Sequence, residues 1–336
     1  MFKVFMHHMR SRRHTLKGKA DITLKQSIKK VQEIVSQLNF NKVEPANDQD
    51  IIDIDFNKQD PQIRSLYDDE VYHNLRVSEL KFRPSVDYMK TVQRDITEGM
   101  RGILIDWLVE VSEGYRLESE TLYLAITLID RCLSKMNIER EKLQLLGITC
   151  LFIASKYEEK NEGIGAPSVE DMCFITDDTY TRKEVLDMEN QVLDVLNFRL
   201  SAPTIQIFLQ RYILAAQSSY KVRVVELESL SNYLAELSLT EYSFLKFTPS
   251  LIAASSVFLA KWTLDQNEHP WNPTLEHYTT YKVSDLKATV LAMQDMQLNS
   301  STARFDQAIR QKYMKEKFKN VATLTSLKPV KPLFQN

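Results

Sequence analysis

Beyond residue 165 this 336-residue chain contains no glycine. All seven glycines (Gly18, Gly99, Gly102, Gly114, Gly147, Gly163 and Gly165) lie before that point. Tight hairpins and phosphate-cradling loops need backbone with positive φ, which glycine supplies most readily. The scarcity therefore argues against a hairpin-rich β fold and against a Rossmann loop, and it excludes a GxxxxGK[ST] loop from the second half. With 43% hydrophobic residues the chain has enough apolar content for a substantial core. Its length points to about two domains.

Apolar spacing supplies the positive evidence. Met100, Ile103, Leu104, Trp107, Leu108, Val111 and Tyr115 recur at the 3.6-residue period of one helix face. Similar patterns predict helices at about 62–78, 120–134, 140–158, 168–174 and 182–196, and a short amphipathic helix at 22–38. Ser168 with Asp171, and Thr181 with Glu184, have the spacing of a capping box. After residue 200, helices are predicted at about 203–217, 222–239, 249–265, 273–280, 283–297 and 302–315. Pro203, Pro249 and Pro273 suit helix starts. Two segments, Leu143–Ile153 and Leu251–Ala260, are apolar on nearly every side, the mark of a helix buried all round. Ile153-Ala154-Ser155-Lys156-Tyr157 also aligns with Phe258-Leu259-Ala260-Lys261-Trp262. The expected architecture is all-α: two tandem five-helix domains, each wrapped about one buried helix, with an added N-terminal helix and C-terminal helix. The divisions are residues 1–60 as basic tail and polar linker, 61–200 and 201–316 as the two domains with those added helices, and 317–336 as an extended basic tail.

Catalytic constellations are missing from the sequence. Residues 74–268 hold no histidine, and no CxxC, HExxH or GxSxG occurs. The three cysteines, Cys132, Cys150 and Cys173, read as reduced core residues of a cytosolic or nuclear protein. No run of about 18 apolar residues predicts a membrane span, and no apolar secretory segment opens the chain. A net charge of −2 gives no global nucleic-acid signature, although residues 1–30 carry nine Lys/Arg against Asp21 alone. Binding is a better class of function than catalysis.

Met100-Arg-Gly-Ile-Leu-Ile-Asp-Trp-Leu-Val-Glu-Val111 resembles the signature helix of the cyclins, regulatory subunits of cyclin-dependent kinases. Lys142–Gly147, Ala154–Glu159, Ile175–Tyr180 and Met188-Glu189 resemble further cyclin-box motifs in the same order. The resemblance runs from about Asp60 to Lys328, and the second half is most similar to plant A-type mitotic cyclins. It implies two cyclin boxes, matching the helical repeat. It also implies that Lys156, Glu189, Phe198, Leu200 and, more weakly, Val71 contact a cyclin-dependent kinase. Arg101 and Asp130 are implied to form a buried structural pair. Met100, Ile103, Leu104, Trp107, Glu110, Leu143 and Gln144 would form a docking patch for Arg-x-Leu substrates and inhibitors. From periodicity alone that stripe reads as core, Lys156 and Glu189 as solvated charges, and Phe198 as a core residue.

The family relation further implies no catalysis, no cofactor, no metal, no membrane and no direct nucleic-acid contact. It implies action in cell-cycle progression, around S phase to G2/M, in nucleus and cytoplasm with the nucleus dominant. Two features depart from the family pattern. Lys160–Pro167 is longer than the family connection, and Arg13-His-Thr-Leu16 has only the bare RxxL spacing of a destruction signal. An alternative function is a cyclin-fold adaptor of the transcription machinery that binds nucleic acid or protein, for which the basic tail and Arg304–Lys319 would be the relevant features.

Overall fold

The computed structural model describes residues 51–54, 69–159, 165–299, 307–326 and 328–335. Among the described residues there are thirteen α-helices and five 3-10 turns and no strand. The predicted helix at 22–38, most of the loop at 160–167, the RxxL segment and residues 302–306 lie outside them. The described residues divide into two compact units, one built on residues 84–201 and the other on 202–336 together with the stretch ending at residue 83.

The first unit contains α2 (Tyr88–Thr91), α3 (Glu98–Tyr115), α4 (Ser119–Leu133), α5 (Leu143–Glu158), α6 (Val169–Ile175) and α7 (Arg182–Val195). Its hub is α5, which touches α3, α4, α6 and α7. Every residue of α5 from Leu143 to Ser155 is buried, as its all-round apolar character requires. Ser155 is tolerated there because its hydroxyl donates to the Phe152 carbonyl at 2.9 Å. Gly147 marks a close approach. A Cβ built on it would stand 2.7 Å from Leu104 Cδ1, so the Leu104 side chain of α3 packs directly on the bare backbone of α5.

Helix starts follow side-chain chemistry. Thr97 accepts from the Met100 N–H at 3.3 Å, so α3 begins two residues ahead of the apolar stripe that predicted it. Both predicted capping boxes are present, at Ser168/Asp171 and Thr181/Glu184. Residues 140–142 form a 3-10 turn before α5, where the sequence pattern suggested continuous helix. Two cysteines, Cys132 and Cys150, are buried as expected, whereas Cys173 is half-exposed near the end of α6; all three are free.

The second unit contains α8 (Ile205–Gln217), α9 (Val225–Thr240), α10 (Pro249–Leu264), α11 (Pro273–Thr279), α12 (Val283–Asn299) and α13 (Gln307–Tyr313). Here α10 is the hub, touching α8, α9 and α12. The repeat is visible in lengths: α5 and α10 have 16 residues each, and α6 and α11 have 7 each. Pro249 and Pro273 occupy helix starts behind the caps Thr248 and Asn272. Pro203 instead precedes the cap, Thr204, whose hydroxyl takes the Ile207 N–H.

Two segments differ from the sequence reading. α1 (Asp69–Lys81), which the sequence reading placed with the first domain, makes its contacts within the second unit. The Tyr72 hydroxyl meets the Tyr212 hydroxyl at 2.7 Å, and Glu79 accepts from the Ser250 N–H and hydroxyl at 2.9 and 2.7 Å. The described residues between 317 and 335, read as an extended basic tail, are packed. Val321 and Val330 have no exposed surface, the Trp262 indole donates to the Lys328 carbonyl, and Phe334 stacks on Phe258 with ring centroids 5.4 Å apart. Lys317, Lys319, Lys328 and Lys331 are exposed, with the Lys328 ammonium donating to the Gln266 carbonyl at 3.2 Å, while the intervening apolar residues reach the core. No helix among the described residues is long and apolar enough to cross a membrane.

Candidate functional site

The first unit carries most of the residues singled out from sequence. At its heart lies Arg101 on α3, joined to Asp130 on α4 by two hydrogen bonds, Nε to Oδ1 and Nη2 to Oδ2, both 2.6 Å. The side chains retain 2% and 4% of their surface. Tyr88 adds a third bond, its hydroxyl donating to Asp130 Oδ1 at 2.8 Å. Burial alone would lower the Arg101 pKa. The facing Asp130 carboxylate and Tyr88 outweigh that, so the guanidinium is held above its ordinary value and stays charged. A paired, fully hydrogen-bonded charge at this depth fixes the crossing of α3 and α4.

One residue further along α4, Arg131 is also buried, and its guanidinium donates to the Arg199 carbonyl at 2.8 Å. Burial lowers its pKa. That bond pins a strained turn. Asn197 and Phe198 both take left-handed backbone, with φ 51° and 55°. Such angles are uncommon for a bulky residue. Bonds from Phe198 N–H to the Leu193 carbonyl and from Arg199 N–H to the Leu196 carbonyl hold the turn closed. As a result the Phe198 ring points into solvent and is 69% exposed, which excludes a core role. Leu200, two residues on, is half-buried. Arg131 was not singled out from sequence; a charge directly after Asp130 on an apolar helix was its signal.

Lys156, at the end of α5, pairs with Glu189 of α7 and lies 4.0 Å above the Phe152 ring centroid. The Lys156 side chain is 43% exposed. An ion pair this wet contributes at most about 1 kcal/mol to folding, so its value lies in presenting an ordered charge pair at the surface. Tyr157 beside it is 53% exposed, an aromatic that the sequence did not mark as a site residue. Val71, on α1 in the second unit, is 36% exposed.

The docking-patch residues divide by depth. Leu104 and Leu143 keep 1% of their surface, Ile103 5%, Gln144 8% and Met100 9%. Trp107 is half-buried and Glu110 is exposed. The stripe is thus a core face along Ile103 and Leu104 that opens to solvent at its Trp107 and Glu110 edge. Tyr180 braces the start of α5 beside it, donating from its hydroxyl to the Glu141 carbonyl at 2.7 Å. Burial pushes that phenol up to about 12. Phe174, on the adjoining helix α6, is 74% exposed. No group of His, Cys, Asp and Glu side chains suited to a metal ion occurs among the described residues.

Two successive helical units, each built round one buried 16-residue helix that a seven-residue helix follows, define a tandem all-α protein. Comparison with known proteins identifies its family. The family "Cyclin, N-terminal domain" matches residues 70–201, and "Cyclin, C-terminal domain" matches residues 203–327. Cyclin-A2-2 of Arabidopsis thaliana is 61% identical over 284 residues, covering 84% of this chain and 64% of that relative. Cyclin-A1-4 of Oryza sativa subsp. japonica is 51% identical over 81% of this chain and 75% of its own length. A viral cyclin from herpesvirus saimiri shares the fold, with a TM-score of 0.58 and 23% identity, over 67% of this chain and 96% of that one. The chain belongs to the cyclin family, and its relatives are plant A-type cyclins. It spans somewhat under two thirds of the Arabidopsis Cyclin-A2-2 and Cyclin-A2-1 lengths.

Proposed function

We propose that this chain binds and allosterically activates a cyclin-dependent serine/threonine kinase. The observation that carries this reading is Phe198, exposed on a strained and pinned turn in a unit that also presents the ordered Lys156–Glu189 pair. Strain held in place by surrounding bonds is characteristic of functional positions, and exposed aromatics beside fixed charges make strong anchors. Lys156, Glu189, Phe198 and Leu200 form the kinase face of the first unit, and Val71, on the second unit, is a separate and weaker candidate for kinase contact. A stiff helical unit that fits only the active arrangement of the kinase shifts its population toward that arrangement.

The Arg-x-Leu patch is the second part of the proposal. Glu110 pairs with the arginine, and Met100, Ile103 and Trp107 receive the leucine, backed by Leu104, Leu143 and Gln144. We further propose action from S phase to G2/M, mainly in the nucleus. The chain itself performs no catalysis in this reading. Binding to an immobilised cyclin-dependent kinase tests it. Phe198→Ala and Lys156→Ala should each weaken binding about tenfold or more, with unchanged circular dichroism and melting. Wild-type affinity in both variants would refute the assigned face.

A further inference from the structure

The sequence contains a single Ser/Thr-Pro pair, Thr248-Pro249. A hydroxyl residue followed by proline is the minimal acceptor for proline-directed kinases. Phe247 and Thr248 are both extended, with ψ of 152° each, and Thr248 is half-buried at the point where the chain enters the helix Pro249–Leu264. The hydroxyl also caps α10, taking the Leu251 N–H at 3.3 Å, and it meets the Tyr281 hydroxyl at 3.3 Å.

Two arginines surround this point. Arg83 donates to the Leu245 and Phe247 carbonyls at 2.7 and 3.1 Å, beside Thr248. Arg76 lies 4.3 Å over the ring of Tyr281. Both belong to α1 or the two residues after it. One acid is present, Glu79, which is paired with Arg76 at 3.3 Å and occupies the Ser250 N–H and hydroxyl.

We infer that Thr248 is a phosphoacceptor for a proline-directed serine/threonine kinase, and that its phosphate clamps α1 to the second unit through Arg83 and Arg76. In the transfer, the bond from the γ-phosphorus of ATP to its bridging oxygen breaks and a bond to Thr248 Oγ1 forms. The hydroxyl proton goes to the kinase's base, and ADP leaves. The new dianion stands at the start of a 16-residue helix, facing two guanidinium groups against one carboxylate. Helix N-termini and arginine pairs both favour a phosphate, and each guanidinium gains a charge-assisted bond. The clamp does not depend on which protein the first unit engages.

The test uses the full chain, a purified proline-directed kinase and Mg-ATP, with Thr248→Ala as the acceptor control and a peptide of residues 243–254 as the sequence control. Mass spectrometry should find one phosphate, on Thr248. Amide exchange across 72–81 should slow about fivefold relative to unphosphorylated chain. In Arg83→Gln, compared with its own unphosphorylated form, the slowing should be lost. A folded chain left unmodified, whether or not the peptide is modified, overturns the assignment. Unchanged or faster exchange after phosphorylation overturns the clamp, since it would mean that repulsion from Glu79 prevails. Slowing that persists in Arg83→Gln does the same.

Discussion

At the scale of single residues, the buried pair of Arg101 and Asp130 sets the largest penalty. Arg101→Ala leaves Asp130 charged, buried and short of two donors, and should cost about 3–5 kcal/mol. Urea unfolding of the variant against wild type checks this; a loss under 1 kcal/mol would mean that water reaches the site. Gly147→Ala poses a contest of opposite effects. Alanine gains about 1 kcal/mol in helix propensity, but its methyl would meet the whole side-chain tip of buried Leu104. Overpacking of that kind costs about 1–3 kcal/mol, so the variant should be less stable. A double-mutant cycle with Leu104→Val should show favourable coupling. The resemblance to the cyclins pointed to Arg101 and Asp130. The outward ring of Phe198 was hidden from pattern reading, because left-handed backbone at a phenylalanine has no periodic or compositional signature.

Among the elements, those with side-chain start signals were the easiest to read. The capping box at Thr181 and Glu184 was visible as spacing alone, and α7 begins there. Thr181→Ala should destabilise the chain by about 1 kcal/mol. The Thr181 N–H and hydroxyl hold the Glu184 carboxyl below its ordinary 4.5. A folded-state pKa below the unfolded one means the contribution is present above about 4.5 and is lost as pH falls through the folded value. Glu184→Gln should therefore melt earlier than wild type at pH 7, with the gap closing toward pH 3. A gap independent of pH would show that the carboxylate charge contributes nothing. The C-terminal segment was misread because 3-10 turns have no 3.6-residue stripe. Its buried residues Val321, Leu324 and Val330 are spaced irregularly between lysines. The placement of α1 was equally invisible. Its contacts with the second unit join residues more than 130 positions apart, such as Tyr72 to Tyr212, and no local pattern encodes such pairings.

At the scale of the whole molecule, the tandem architecture was legible because α5 and α10 are apolar all round, and a helix of that kind needs neighbours on every side. The proposed docking patch was less so, since a stripe buried along Ile103 and Leu104 and open only at Trp107 and Glu110 reads as core from spacing alone. Substrate choice separates the two. Trp107→Ala should slow phosphorylation of Arg-x-Leu substrates about tenfold or more while sparing a peptide without that motif. Equal losses on both would place Trp107 in the core alone. The central claim is that a rigid cyclin surface converts an inactive kinase population into an active one. The most direct measurement is the rate at which a purified cyclin-dependent kinase phosphorylates a histone peptide lacking Arg-x-Leu, with and without saturating chain. A shift from about 1% to nearly full occupancy of the active arrangement predicts a rise of about a hundredfold. Saturable binding with no rise in rate would contradict the account.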